Sequence, residues 1–318
     1  MLKRFCAWIA VAVILTACGG GGSGSIGGTS PIITPRDTGR DWVAVASSQD
    51  GSKLVAAVMG GQLYTSTDSG VTWTARESAR NWQTVASSAD GSKLVAAANG
   101  GYIYTSVDSG VSWTPYVLSK PWISVASSSD GSRLLVAAIG GQLFASVDSG
   151  ANWPPVRAGA SWRSVASSTD GSKLVAADHG SLTLGSGSGG YLYTSTDSGA
   201  NWYSRDSLRY WTAVASSSDG SKLVAAVWGG NIYTSTDSGA TWTARESARN
   251  WITVASSADG SRLVAAESLG KLYASDDSGV TWTVLDGTIR NWQQLASSSD
   301  GSKLVAVVQG GYIYTITR

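Results

Sequence analysis

The sequence predicts an all-β fold, a seven-bladed β-propeller of four-stranded antiparallel blades whose ring is closed by an N-terminal strand. The first observation is a long unit that recurs at intervals of 40, 40, 40, 49, 40 and 41 residues. A period near 40 residues with several short strands is typical of propellers and solenoids. Each unit begins at a tryptophan: Trp42, Trp82, Trp122, Trp162, Trp211, Trp251 and Trp292.

The second observation is a set of turn signals that divides each unit into four strand-like runs. In the first unit, Asp50-Gly51, Gly60-Gly61 and Asp68-Ser69-Gly70 separate the runs, as hairpin turns would. The second run is apolar on both faces, which predicts a middle strand buried between neighbouring blades. Small residues dominate the first run and suit the crowded centre of a propeller. The four runs span residues 42–47, 53–58, 62–67 and 72–77.

The third observation is that the chain ends are complementary. The last unit stops at Arg318, before a fourth run. The segment before Trp42 matches the fourth runs that precede the other opening tryptophans, so it can supply the missing strand. We expect residues 32–36 to pair with residues 311–315 and to leave no open blade edge. An open solenoid, the alternative, would not need complementary ends.

The N-terminal segment has the pattern of a targeting sequence. Two basic residues precede an apolar run, which predicts a signal peptide over residues 1–17. Residues 15–18, Leu-Thr-Ala-Cys, resemble a bacterial lipobox, which implies cleavage before Cys18 and lipidation of its thiol. A plain secretory signal and an uncleaved anchor are the alternatives. Residues 18–30, rich in Gly and Ser, are expected to form a flexible tether to a propeller over residues 31–318.

The lipobox resemblance implies a lipid-anchored protein of the cell envelope. Gly19, where an Asp would favour retention at the inner membrane, favours the outer membrane or the cell surface. Membrane contact is expected through the lipid anchor only. After cleavage Cys18 is the only cysteine, so no internal disulfide can form.

Composition excludes several classes of partner. The formal net charge is +1, from 23 basic and 22 acidic residues, and the charges are scattered, so nucleic acid is not expected as a partner. The single histidine and the lack of a second mature cysteine argue against a metal site. We expect no cofactor, and a monomer.

Six units contain the pattern Ser-x-Asp-x-Gly-x-x-Trp, which resembles the Asp-box of sialidase-type (BNR) propellers. The resemblance covers residues 33–318. It implies the propeller fold and gives little information about activity, because the box serves unrelated functions. The carboxylates are expected to accept hydrogen bonds from turn N–H groups, the glycines to supply positive φ angles and the tryptophans to bury their rings near the blade interface. The expected structural carboxylates are Asp68, Asp108, Asp148, Asp197, Asp237 and Asp277.

The sequence predicts no enzyme. Sialidases use three arginines, a Tyr/Glu pair and an acidic Asp, and carry an Arg-Ile/Leu-Pro segment near the start, which is absent here. Glu77 and Glu246 lie in the same repeated string, so they are features of the repeat. A glycosidase needs two carboxylates with separated pKa values in one cleft, and no unique pair breaks the repeat. A sialidase-like or endoglucanase-like hydrolase is the alternative.

Differences between the units are expected to lie on one face of the disc. The Asp-Gly hairpins and the boxes hardly vary and would form a constant face. The variable face would carry the turns between second and third strands and the loops before the opening tryptophans, including a nine-residue insertion within residues 178–188. Loops on a rigid scaffold commonly carry recognition. The candidate ligand-binding residues are Trp228, His179, Arg249, Arg80, Asn99 and Gln309.

The Arg-x-Trp pairs before the opening tryptophans have an alternative role. Arg80, Arg249 and their equivalents could stack and form salt bridges with acidic residues at the ends of the fourth strands. The sequence therefore predicts a non-enzymatic binding or scaffold module that recognises a glycan or a protein on its variable face. Sortilin-like and photosystem-assembly propellers, to which the chain is similar, have protein-binding roles. The sequence leaves the ligand open.

Overall fold

The computed structural model describes residues 30–180 and 189–318, and within these ranges the chain forms 24 strands and no helix. Blade 1 contains the second half of β1 (Ile32–Ser47) with β2 (Leu54–Gly61), β3 (Leu63–Ser66) and β4 (Thr74–Ala75). Blade 2 contains β5 (Arg80–Ser87), β6 (Leu94–Ser106) and the first half of β7 (Thr114–Ser127). Blade 3 contains the second half of β7 with β8 (Leu134–Ala138), β9 (Gly141–Ser146) and β10 (Pro155–Ala160).

The remaining blades follow in chain order. Blade 4 contains β11 (Trp162–Ser167), β12 (Leu174–Asp178), β13 (Gly190–Ser195) and β14 (Tyr203–Arg209). Blade 5 contains β15 (Trp211–Ser216), β16 (Leu223–Gly230), β17 (Ile232–Ser235) and β18 (Thr243–Ala244). Blade 6 contains β19 (Arg249–Ser256), β20 (Leu263–Glu267), β21 (Gly270–Ser275) and β22 (Thr283–Arg290). Blade 7 contains β23 (Trp292–Ser297), β24 (Lys303–Thr317) and the first half of β1.

Each blade is an antiparallel meander, as the turn signals predict, and the all-β propeller fold is confirmed. In blade 4, Val165 pairs with Ala176 and Ala176 in turn pairs with Tyr193. The middle strands are buried on both faces, because they pack between adjacent blades.

A ring of seven backbone hydrogen bonds runs around the central axis. In each blade, one residue directly follows the two serines at the end of the first strand. Its N–H donates to the carbonyl of the residue at the same position in the next blade, at 2.7 or 2.8 Å. The last bond, from Ser299 back to Gln49, closes the circle. The ring passes through Gln49, Ala89, Ser129, Thr169, Ser218, Ala258 and Ser299.

The N-terminal strand closes blade 7, as the complementary ends predict. Its partners lie two residues further along than expected: Ile32 pairs with Thr317 and Arg36 pairs with Ile313. The Arg36 Nε donates to the Thr315 hydroxyl at 3.0 Å. Closure therefore joins the two ends of the described fold through an antiparallel ladder.

The opening tryptophans are the largest residues of the core. All seven are 0 or 1% exposed. Each ring meets a tyrosine or phenylalanine of the third strand edge to face, with centroids 5.0 to 5.5 Å apart. The box tryptophans were expected to be buried as well. Apart from Trp153, they are only half-buried. In five of the six boxes, that of Trp153 included, the indole Nε1–H donates to the box glycine carbonyl, as Trp113 does to Gly110 at 3.0 Å.

The boxes form tight, self-contained turns. In blade 2, the Asp108 carboxylate accepts hydrogen bonds from the backbone N–H of Ser112 at 2.9 Å and from the Ser106 hydroxyl at 2.8 Å. The Ser112 hydroxyl and N–H, together with the Ser106 hydroxyl, hold the pKa of Asp108 at about 2. Gly110 has a φ of 84°, and Ser109 also has a positive φ, of 57°. These contacts are those of a turn-forming carboxylate.

Candidate binding surface

The two faces of the disc have different connections. On the constant face, each box docks against the first hairpin of its own blade, as when the Ser69 N–H donates to the Ser52 carbonyl at 2.9 Å. On the variable face, the turn between second and third strands pairs with the crossover to the next blade. Trp228, for example, lies opposite Asn250 in the register of β16 and β19. Variable-face residues of successive blades are therefore neighbours.

Arginines of the crossovers stack on aromatic rings. The guanidinium carbons of five of them lie 4.3 to 4.8 Å from the ring centroid of the third-strand tyrosine. Each also forms a salt bridge with an acidic residue three or four positions earlier. The pairs are Arg40–Asp37, Arg80–Glu77, Arg209–Asp206, Arg249–Glu246 and Arg290–Asp286.

This arrangement matches the packing alternative for the Arg-x-Trp pairs. Arg80 and Arg249 keep about a third of their side-chain surface exposed, at 37% and 33%, so a ligand role for them stays a prediction. In blade 4 the stacking arginine is Arg157, whose guanidinium carbon lies 4.1 Å from the centroid of the Tyr193 ring. Arg157 precedes the Arg-x-Trp position of this blade, residue 160, by three residues. The sequence pattern missed Arg157 because it lies outside the Arg-x-Trp spacing.

An exposed apolar strip crosses blades 4 to 6 of the variable face. We define it by His179, Tyr210, Trp228 and Leu269. The His179 and Tyr210 rings are 5.3 Å apart, and the Trp228 N–H donates to the Tyr210 carbonyl at 2.9 Å. Exposed fractions are 38% for Tyr210, 42% for Trp228 and 68% for Leu269.

Tyr210 and Leu269 were not among the residues predicted from the sequence. Tyr210 directly precedes the opening Trp211, where the other units carry Asp, Asn, Pro or Ser. This difference between the units could have identified Tyr210 as a candidate binding residue from the sequence. Leu269, with a φ of 49°, lies next to Ser268, whose N–H donates to the Asn250 carbonyl at 2.8 Å. Asn250 therefore links the turn that bears Trp228 to the turn that bears Leu269.

The structure separates the other candidate residues from this strip. Asn99 is exposed in blade 2, and Arg80 lies in the crossover that enters the same blade. Gln309 is half-buried in blade 7, where its Oε1 accepts from the Asn291 amide at 3.3 Å. Of the six predicted residues, His179, Trp228 and Arg249 therefore share one region. Cys18 and residues 181–188 of the insertion lie outside the described residues.

Burial, reinforced by the nearby positive charge of Arg163, lowers the pKa of His179. Asp178 opposes the shift. The imidazole is therefore neutral near pH 7 and contributes an apolar ring face to the strip. The Asp178 carboxylate accepts hydrogen bonds from the backbone N–H groups of Ser161 and Gly180, both at 2.9 Å.

In residues 30–180 and 189–318, no three His, Cys, Asp or Glu side chains lie close enough together to hold a metal ion. The same part of the chain contains no helix that is long and apolar enough to cross a membrane.

The carboxylates of the first hairpins accept hydrogen bonds within their own turns. The pKa of Asp50, for example, is lowered by the Ser48 hydroxyl and by the N–H and hydroxyl of Ser52.

No protein-family model matches the chain, and no curated protein matches its sequence. Among solved structures, the chain is similar to YCF48 from Cyanidioschyzon merolae, with a TM-score of 0.70 and 16% identity over 91% of this chain and 99% of that one. It is also similar to YCF48 bound to D1 peptide, with a TM-score of 0.70 and 16% identity over 92% and 98% of the two chains. At this identity the likeness establishes the fold alone, a β-propeller.

Proposed function

We propose that this protein is a non-enzymatic scaffold that binds a protein or peptide ligand on its variable face, with the apolar strip at the centre of the contact. The observation that supports this proposal is that Tyr210, Trp228 and Leu269 are exposed on segments joined by backbone pairing, while every opening tryptophan is fully buried. The core therefore does not need these three side chains. Exposed aromatic residues rimmed by polar groups are typical of binding surfaces.

The similar structure of YCF48 with D1 peptide supports a peptide as ligand, because it is a propeller of the same architecture that holds a peptide. The distribution of residues supports the same choice. A multivalent lectin would repeat an equivalent site in several blades. A tryptophan occupies this turn position in blade 5 alone, since the equivalent residues of the other blades are Met59, Asn99, Ile139, His179, Ser268 and Gln309.

The non-enzymatic part of the proposal is supported by the state of the carboxylates. A general acid at neutral pH needs a raised pKa. Hydrogen bonds from turn groups instead lower the pKa of the box and hairpin carboxylates, as Asn152 and Ser146 do for Asp148. These carboxylates are on the constant face, away from the strip.

Selection from a displayed peptide library, with a glycan array in parallel, tests the proposal. We expect peptides to bind the wild-type protein, and Trp228→Ala and Tyr210→Ala to weaken that binding at least about tenfold, or about 1.4 kcal/mol. Trp228 is preferred to Arg249 as a test residue because removing Arg249 would also disturb its stack on Tyr273.

The matched controls are Val107→Ala, an exposed apolar residue, and Lys173→Ala, both on the constant face. We expect both to bind like wild type. Loss of binding in these controls, with the strip variants unaffected, would move the site to the opposite face. Binding to glycans alone would replace the peptide ligand by a carbohydrate.

We further propose that the protein is a monomer held at the outer membrane or cell surface by lipid on Cys18. The lipobox resemblance of residues 15–18 supports this location. Cys18→Ser is expected to move the protein from the membrane fraction to the soluble fraction, or to block processing of residues 1–17. A Cys6→Ser variant, which alters the signal segment only, should fractionate as wild type. If Cys18→Ser also fractionates as wild type, the anchor is elsewhere.

A further inference from the structure

The central channel contains a cavity at its variable-face end. The inner strands run from the variable to the constant face, so residues directly after the opening tryptophans line this end of the channel, one in blade 1 and two in each of the other blades. The cavity has a volume of about 110 Å³, which exceeds the space of one water molecule. Its lining does not include any of the four residues that define the exposed strip.

Arg163 breaks the symmetry of the cavity. It provides the one charged side chain among the residues that line the cavity. At its position the other blades carry neutral residues. The position is occupied by Val43, Gln83, Ile123, Arg163, Thr212, Ile252 and Gln293.

Arg163 has no anionic partner in the described structure. It forms neither a salt bridge nor a side-chain hydrogen bond with residues 30–180 or 189–318, whereas five of the crossover arginines have both a carboxylate and a ring. Residues 181–188 contain no carboxylate in their sequence. Burial lowers the pKa of the Arg163 guanidinium, although it remains charged. A partly buried cation without a counter-charge leaves an electrostatic interaction available to an anion.

Neutral donors surround the same space. The Gln294 Oε1 accepts the Val45 N–H at 3.1 Å, so its Nε2 is the group left to donate. The Gln83 amide also lines the cavity and has no hydrogen-bond partner among the described residues. The Thr212 hydroxyl, by contrast, donates to the Trp251 carbonyl at 2.9 Å and has no further proton to offer.

We propose that this cavity binds a carboxylate, with Arg163 as the charged donor and Gln83 and Gln294 as amide donors. The planar guanidinium matches the two oxygens of a carboxylate in a bidentate pair. One cation balances one carboxylate, whereas a phosphate dianion would leave a net negative charge in the cavity. None of the strip residues lines the cavity, so the result of a test of this proposal does not decide the peptide-binding proposal.

Isothermal titration calorimetry with sodium acetate, against sodium chloride of equal ionic strength, tests the site. We expect saturable binding to wild type in the millimolar range and at least a tenfold loss in Arg163→Gln. Lys120→Gln removes one positive charge from the same face but outside the cavity, and we expect it to bind as wild type.

Arg163→Thr, which introduces the residue of blade 5, is a second neutral variant with the same expected loss. In anion-free buffer both variants should melt at or above the wild-type temperature, because each installs a residue that another blade tolerates. Absence of saturable binding to wild type, binding by Arg163→Gln equal to wild type, or inorganic phosphate binding more tightly than acetate would overturn the proposal.

Discussion

Deleting residues 31–37 is expected to lower the melting temperature by roughly 10–20 °C. The deletion removes the ladder between β1 and β24, in which five residue pairs from Ile32 to Arg36 are matched. Ladder hydrogen bonds contribute about 1 kcal/mol each, and burial of the Ile33 side chain adds about 2 kcal/mol. The total is about 7 kcal/mol, which at about 0.6 kcal/mol per degree for a domain of this size corresponds to the lower part of that range of temperature.

A pair of point variants separates strand closure from simple truncation. Ile33 packs against the core between blades 6 and 7, whereas Ile32 is 67% exposed on the same strand. Ile33→Asp should therefore destabilise the protein strongly and Ile32→Asp only slightly, as measured by thermal and urea unfolding. Equal effects of the two variants, or an unchanged melting temperature after the deletion, would show that the ring does not depend on this strand.

Replacing an opening tryptophan is expected to have the next largest effect. Trp251 is fully buried, and its ring contacts Tyr273 edge to face at 5.2 Å. Trp251→Ala would leave a cavity between two blades and cost about 3–5 kcal/mol in the free energy of unfolding. Urea unfolding gives the value directly from the shift of the midpoint at constant slope.

The matched control is the box tryptophan of the preceding blade, Trp242. Its ring is half-buried and its Nε1–H donates to the Gly239 carbonyl at 3.0 Å. Because less apolar surface is lost and the gap is open to solvent, Trp242→Ala should cost about 1–2 kcal/mol. A larger cost for Trp242 than for Trp251 would mean that the boxes, and not the opening tryptophans, hold the blades together.

Most of the fold could be predicted from the sequence because the repeat encodes local chemistry. Asp-Gly and Gly-Gly turns, apolar middle strands and complementary ends each act within one blade or between strands that adjoin in the meander. Those features predicted the meander and its closure. The register of the closing strand was wrong by two residues, since nothing in the sequence fixes how far the N-terminal segment slides along β24.

The sequence by itself determined the repeat, the turns and the face on which variation accumulates. Only the tertiary structure decided which variable residues meet. Tyr210 and Trp228 become neighbours because the turn of one blade pairs with its own crossover, and Arg163 becomes an isolated charge because ring closure brings seven inner strands around one channel. Contacts between blades depend on the curvature of the closed ring, and a comparison of aligned repeats treats all seven blades as equivalent.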